Sequence, residues 1–535
     1  MKTIFYFAAI LVLAGCSPYS RYAPEDFSVA TRNGELANES YVRSLRFVNA
    51  WLERADSASG LIPTNMSGKK DIWEPFNAAA DNYAFMVLTT WLLDSGLYNG
   101  AMLDMLNTER KLTSRIKSLP DAYRFSTRDF VSEVPDTTWI VFHASEYIKD
   151  GLIPLAEYIG DSPWNDRLME MLDDLAEFHT VIRDVDQMGG YKAVSEEING
   201  SMLQSLVRMY WMTGRQEYLD RAVMIGDYYL TGERDLSTLP YLRLRDHGCE
   251  IIGGLSELYV TLHFVQPEKK KQYQPYWYKV LDRILEVGRN EDHLFYNAIN
   301  AATGEVADGN VADTWGYTFN AYYAVYMIDN KEEYRQAVLD GVSKLNEKYR
   351  NFVWEGKSHD GYADAIESGI NLLNREPVPS LAEWIDSEMK VMWGMQQENG
   401  IIGGGHPDGN FARTAIMYAL WKSMGVHFTP WRPDVMGGAV MNDGKLLVSL
   451  KANDTWNGKL TFDYSRHKEI LNLPVDYPRI NQFPEWYTVE GDQNYEVLDI
   501  TRKTRSVHAG NELKNGIPVR IGAGEEVHLV IKKVN

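Results

Sequence analysis

The chain has 535 residues, 45% of them apolar and 24% charged, enough for two or more globular units with sizeable cores. Its formal net charge of −20 would repel a phosphate backbone, which argues against nucleic acid as a partner. An anionic sugar held in a locally basic pocket remains compatible with that charge.

The N-terminus reads MKTIFYFAAILVLAGC: a Lys at position 2, an apolar stretch too short to span a bilayer as a stable helix, then small residues before Cys16. LAGC resembles a bacterial lipobox. That resemblance implies a signal peptide at 1–15, acylation of the Cys16 thiol, and attachment by lipid to the bacterial outer membrane, on its periplasmic face or at the cell surface. Residues 16–37 are polar and turn-rich and read as the lipidated tether. With Cys16 acylated only Cys249 is left, so neither an internal disulfide nor a cysteine-based metal site is expected.

Residues 38–428 carry apolar residues at three- and four-residue spacing, broken by Gly, Pro, Asn and Asp clusters. Two kinds of helix alternate. ESYVRSLRFVNAWLERA and QEYLDRAVMIGDYYL are amphipathic and heavily charged, whereas NAAADNYAFMVLTTWLL and TWGYTFNAYYAVYMI are apolar nearly all round. The first kind suits an outer layer and the second a buried one. Regular alternation predicts a repeat of helical hairpins closing into an (α/α)6 or (α/α)7 toroid. The loops entering the apolar helices are long and Gly-rich and the loops leaving them are short, which places function on the rim where the inner helices begin. Residues 429–535 instead alternate with period two, as in GKLLVSLKA and GEEVHLVIKK, and predict a small antiparallel β-sandwich whose role is to pack on the toroid.

Several polar clusters fall at inner-helix starts. LRLRDHGCEIIGGLSELY brings Arg245, Asp246 and His247 to the rim, with Glu250 one turn on and Glu257 two turns further. In SHDGYADAIESGINLL, Asp360, Asp364, Glu367 and Asn371 share one helix face, and His359 lies at its N-terminus. DTWGY supplies Asp313, Trp315 and Tyr317; WEPFNAAADNY supplies Trp73, Asn77, Asp81 and Asn82; GGGHPDGNFART supplies His406, Asp408 and Arg413. Asp246, Asp313 and Asp360 also suit helix caps, the aromatics suit a core, and His143, deep in a helix, reads as a core histidine. No phosphate-binding glycine loop, HExxH or GxSxG occurs. No cofactor and no transition-metal site are expected, while the acidic rim leaves a structural calcium open.

Carboxylates recurring around one cavity, with Trp and Tyr as flat platforms, point to carbohydrate chemistry. Hydrolysis of a glycosidic bond needs one protonated carboxyl and one ionised carboxylate. Glu250 and Asp313 are the first candidates for that pair, followed by Asp246, Asp360 and Asp81. Arg245, His247 and Arg413 would hold a uronate carboxylate, Trp73, Trp315 and Tyr317 would stack on sugar, and Asn82 and His359 would bind substrate. The segments NAAADNY, RDHGCEIIGGLSELY, DTWGY and SHDGYADAIESGINLL, in this layout, resemble toroidal carbohydrate-active enzymes of Bacteroidota-type bacteria, especially the β-glucuronidases of glycoside hydrolase family 154. The resemblance implies release of a terminal glucuronic acid from a plant or host glycan by an exo-acting hydrolase, and transfers no residue roles. A polysaccharide lyase is the alternative, with His247 or Tyr317 as base and His359 or Asn82 helping. A sugar epimerase and a non-catalytic glycan-binding lipoprotein are further alternatives.

Overall fold

The computed structural model describes residues 18–178, 181–403 and 406–534. Cys16 and the segment 1–15 lie outside the described residues. Fourteen helical elements follow in chain order. The outer ones are α1 (Ser28–Leu52), α3 (95–113), α5 (Pro163–Phe178), α7 (Gln216–Leu230), α9 (Pro267–Val287), α11 (Glu332–Lys348) and α13 (Pro379–Trp393). The inner ones are α2 (75–93), α4 (137–159), α6 (Val194–Thr213), α8 (Glu250–Val265), α10 (Trp315–Asp329), α12 (His359–Arg375) and α14 (Asn410–Lys422).

Burial follows the two sequence patterns. In α11 the buried residues are Tyr334, Ala337, Val338, Gly341, Val342 and Leu345, a single stripe at helical spacing. In α10 every residue from Trp315 to Val325 is buried, as expected of a helix covered on all sides. The inner helices touch in succession from α2 through α4, α6, α8, α10 and α12 to α14, and α14 returns to α2. Outer helix α1 lies against both α2 and α14 and closes the ring from outside. Short strands crown the rim just before the inner helices: Ile72–Trp73 before α2, Tyr191–Lys192 before α6, Leu242–Arg243 before α8 and Val306–Val311 before α10.

After the ring come β1 (His427–Thr429), β2 (Val435–Asn442), β3 (Lys445–Ala452), β4 (Trp456–Thr461), β5 (Asn494–Asp499), β6 (Thr504–Ala509), β7 (Ile517–Ile521) and β8 (Glu526–Val534). They form two antiparallel sheets, β2-β3-β8-β5-β6 and β1-β4-β7. Phe428, Trp456 and Leu460 of the smaller sheet share one core with Val435, Val448 and Ile531 of the larger. The stretch EWYTVEGD, which reads as a strand, contributes only one bridge, Asp463 to Thr488. It runs instead along the toroid, where Trp486 packs on Trp421 and Asn374 donates to the Glu485 carbonyl at 2.9 Å.

The expected tether is shorter than its sequence suggests. Helix α1 begins at Ser28, and Phe27 is fully buried against Leu447, Leu498 and Val530 of the strands. Small residues explain why this polar stretch is ordered: Gly34 of α1 meets Gly438 of β2 backbone to backbone. A Cβ on Gly438 would fall 2.0 Å from the Gly34 nitrogen and 2.2 Å from the Ala30 carbonyl oxygen. Thr31, Asn33 and Asn38 add side-chain bonds across the seam. Substituting Gly438→Ala is therefore expected to destabilise the protein by about 1–3 kcal/mol through overpacking, read as a lower melting temperature in scanning calorimetry. An unshifted transition would remove this seam from the account of stability.

Candidate active site

A cavity of about 380 Å³ opens at the rim where the inner helices begin. Its wall is polar, and nine carboxylates line it: Asp81, Glu146, Asp150, Asp246, Glu250, Glu355, Asp360, Asp364 and Asp408. Two of the contributing inner helices are wound wide at the cavity. Pro75–Tyr83, carrying Asn77 and Asp81, and Tyr147–Leu152, carrying Lys149 and Asp150, are π-helical, a winding that re-aims side chains and recurs at functional sites.

Asp81, Asp360 and Asp408 gather on one side. The N-terminus of α14 approaches α2 so closely that a Cβ on Gly409 would lie 2.0 Å from the Asp81 carbonyl oxygen, and only glycine fits there. Burial, with Asp408 as the nearest like charge, holds the carboxyls of Asp81 and Asp360 well above the usual range. Each keeps one amide partner, Asn77 at 3.1 Å and Asn410 at 2.8 Å. Burial raises Glu146 and Asp364 on the same wall as well, but a cation opposes each of those shifts, Lys149 and Arg413, and none opposes the shifts of Asp81 and Asp360.

Asp246 has the opposite state. Its side chain is 30% exposed to the cavity and lies 2.9 Å from His247 Nε2. Burial pulls its pKa up, but His247, Arg245 and Arg243 outweigh that and hold it far below the usual carboxylate range. His247 bonds through Nδ1 to Glu197 and stacks on Phe76, with ring centroids 5.6 Å apart. Burial would lower its pKa, yet Asp246 and Glu197 raise it well above the ordinary value, so His247 is an imidazolium. Burial pushes Glu197 itself up to about 7.

Most cations at the cavity are already neutralised. Lys149 pairs with Asp150 at 2.8 Å and Glu250 at 3.5 Å. Arg245 donates to Glu355 at 2.6 Å and Asp313 at 3.4 Å. Arg413 is a hub: Nη1 donates to Asn410 and Asn481 at 2.7 and 2.9 Å, and Nη2 meets Asp364 and Glu367 at 2.6 and 2.9 Å. Arg243 alone among the arginines of the wall has no ion pair or hydrogen bond among the described residues.

The structure brings together Asp81, Asp246, Glu250, Asp360, Arg245, His247, Tyr317 and Arg413 on one wall, and leaves the other proposed residues off it. Asp313 is buried behind Arg245, where burial pushes it up to about 7; it supports Arg245 and does not reach the cavity. Trp73 and Trp315 are buried core residues, and Trp315 packs edge-on against Trp384 of outer helix α13, away from the cavity. Asn82 is fully buried and donates to the Asn77 carbonyl at 2.9 Å. His359 accepts the Asp408 N–H at 3.0 Å, and burial lowers its pKa, so it is a neutral second layer. Arg413 has its four Nη donors occupied, and His247 its two ring nitrogens, so neither is free to fork onto a substrate carboxylate. Glu257 lies below the cavity in a pair with Arg208 at 2.7 Å. His143 is buried against Phe76 and Trp139, and burial lowers it to about 3, as a core histidine.

Beside Lys149, Asp150, Tyr191 and Glu355, which the sequence reading did not single out, two further contributions escaped it. One is Arg243, visible only as one charge among several. The other is Ile480 and Asn481, from the segment expected merely to pack on the toroid. Asn481 donates to Asp150 at 2.7 Å, and its backbone N–H bonds Glu367 at 2.7 Å. As for metal, Glu146, Glu197 and His247 present ligand atoms within 4.8 Å of one another, and here the imidazolium supplies the positive charge between carboxylates. His467, Asp476 and Glu485 group similarly, with Arg375 and Arg479 on Asp476.

No protein-family model matches the chain. No curated protein matches it in sequence. Among solved structures, it is similar to an inactive variant of an alpha-1,6-mannanase from Salegentibacter sp. in complex with alpha-1,6-mannotriose, at TM-score 0.41 and 12% identity over 72% of this chain and 98% of that one. It is also similar to a sugar epimerase from a ruminal bacterium, at TM-score 0.42 and 13% identity over 60% and 89% of the two chains. A glycosyl hydrolase family 88 protein from Bacteroides vulgatus gives TM-score 0.37 and 12% identity over 52% and 88%.

The division of the arginines has a thermodynamic signature. Removing the hub by Arg413→Met strands Asp364 and Glu367 and is expected to cost about 3–5 kcal/mol, lowering the melting temperature by several degrees. Arg243→Gln breaks no internal pair and is expected to leave it unmoved. Equal melting shifts for the two variants would contradict the assignment.

Proposed function

We propose that this chain is an exo-acting glycoside hydrolase that releases a terminal uronic acid, glucuronic acid first among the candidates, from plant or host glycans. One observation carries the reading: Asp246, held low by His247 and two arginines, shares a cavity with Asp81 and Asp360, carboxyls that burial raises with no cation opposing it. Two carboxyl groups driven to opposite protonation states are what acid/base cleavage of a glycosidic bond requires. The protonated partner donates its proton to the leaving oxygen as the bond to C1 breaks. Asp246 activates the incoming water or meets the developing positive charge at C1. Glu250 lines the same wall and is the second choice for that anionic role. A cavity of about 380 Å³ suits a terminal sugar and part of its neighbour. The reading invokes no metal and no cofactor, and it keeps lipid attachment at Cys16 as the route by which the enzyme meets its glycan.

Elimination by a lyase is less well served. It needs a His or Tyr base, and His247 is held as an imidazolium. Burial pushes the Tyr317 phenol well up, and its OH is already engaged with Asp364 at 3.0 Å and Glu367 at 2.7 Å.

Product analysis on glucuronide-terminated oligosaccharides tests the choice. Free glucuronic acid without ultraviolet absorbance is expected, and Asp246→Asn should lower kcat by about 10²–10⁴-fold. Growth of the absorbance of an unsaturated uronide would replace hydrolysis with elimination. The pH profile gives a separate check. Because Asp246 is held ionised far into acid, kcat/KM should stay level towards low pH, and it should fall on the alkaline side as the raised acid loses its proton. Either Asp81→Asn or Asp360→Asn should erase the alkaline limb, and the one that does identifies the acid. An alkaline limb unchanged in both variants would dismiss both residues.

A further inference from the structure

Arg243 stands apart from every other strong cation at the cavity. Lys149, Arg245, His247 and Arg413 each face two carboxylates, and their charge is spent inside the protein. Arg243 lines the same wall, half-buried, and its side chain has no hydrogen bond or ion pair among the described residues. It acts through space on Asp246, which it helps keep ionised. Its backbone is not free to wander: Leu242 and Arg243 pair with Ile299 and Ala298 in a rim sheet, and the next N–H, of Leu244, bonds the Asn297 carbonyl at 2.8 Å. An arginine on a fixed strand, lining a wall with nine carboxyl groups and bonded to none of them among the described residues, has guanidinium donors to spare.

We infer that Arg243 is the specificity residue of the cavity, and that it binds the carboxylate of an acidic sugar through its guanidinium fork. The inference rests on the reading of the cavity as a uronide site, and it moves carboxylate recognition from Arg413 and His247 to a residue with donors to spare. A bidentate arginine–carboxylate contact rewards the planar anion and gives nothing comparable to the hydroxymethyl group of a neutral sugar. Placed beside Asp246, it would also fix which ring position lies next to the ionised carboxylate.

The test is calorimetric titration of the full chain with glucuronic acid and with glucose, alongside hydrolysis of matched glucuronides and glucosides. Wild type is expected to favour the acid. In Arg243→Gln that preference should shrink on the order of 100-fold, and Arg243→Lys, which keeps the charge without the fork, should fall between. Retention of the full preference in Arg243→Gln would overturn the inference, and so would a wild type with no preference. A preference that vanishes in Arg243→Gln, in a protein that releases no glucuronic acid, would uphold Arg243 as the reader while removing the hydrolase reading.

Discussion

Everything at the centre of this ring depends on pairing charge that has been taken out of water. Each buried ion costs several kcal/mol unless it finds a partner with good geometry. Seven inner helices leave an axial space, and the chain fills its lower part with ions and not with leucine. Arg208 meets Glu257 and Glu157 at 2.7 and 3.3 Å, and Arg479 meets Glu157 and Asp476 at 3.1 and 3.0 Å. The Tyr477 hydroxyl closes the layer on Glu257 at 3.1 Å. Arg479 and its neighbours belong to the segment between the strands, which enters the ring from below as a plug. The cavity above is shaped by where that plug stops, at Ile480 and Asn481.

Above the plug the pairing becomes deliberately incomplete. Carboxyl groups outnumber cations, and what the cations do not neutralise must either be protonated or stay charged against the cavity. Position decides which. Asp81 and Asp360 sit among like charges with only an amide each, so they keep their protons. Asp246 sits against an imidazolium and two guanidinium groups, so it loses its own. The same three-residue run, Arg245-Asp246-His247, thus holds a paired cation, an ionised carboxylate and an imidazolium within a few ångströms. His247 takes a left-handed backbone, φ 62°, a strained position for a residue with a side chain and one often found at working sites.

Much of the architecture was legible because it follows from periodicity. Helices apolar on one stripe and helices apolar all round sort themselves into layers wherever they fall in the chain, and α10 and α11 did so. The stripe of Asp360, Asp364, Glu367 and Asn371 was legible for the same reason: a polar line on a buried helix must face water or partners, and it faces both in turn. What sequence spacing cannot carry is partnership between distant segments. Arg413 and Arg243 look alike in the sequence. Arg413 is silenced by Asn481 and by carboxylates of α12, while the side chain of Arg243 acts on Asp246 through space and forms no ion pair or hydrogen bond among the described residues. Asp313 looks like a rim acid but lies one layer behind, since Arg245 lies between it and the cavity. Trp73 and Trp315 satisfy the composition of a sugar platform, yet both are spent in the core, Trp315 against Trp384 of the outer layer. The tether between 28 and 37 looked polar because its order comes from a glycine-to-glycine contact with a strand it could not anticipate.

Ring closure joins parts of the chain that leave the ribosome far apart in time. Asn33 donates to the Ala439 carbonyl across 406 residues, and Arg413 finds Asn481 only once the plug exists. Contacts of such separation demand that a large loop be closed before they return any free energy, and this makes them late events in folding. A nascent chain that ends before the plug lacks Arg479, Tyr477 and Asn481, which complete the pairing of Glu157, Glu257 and Glu367. The floor of the cavity is complete only when the last fifth of the chain is in place, long after its walls have been made.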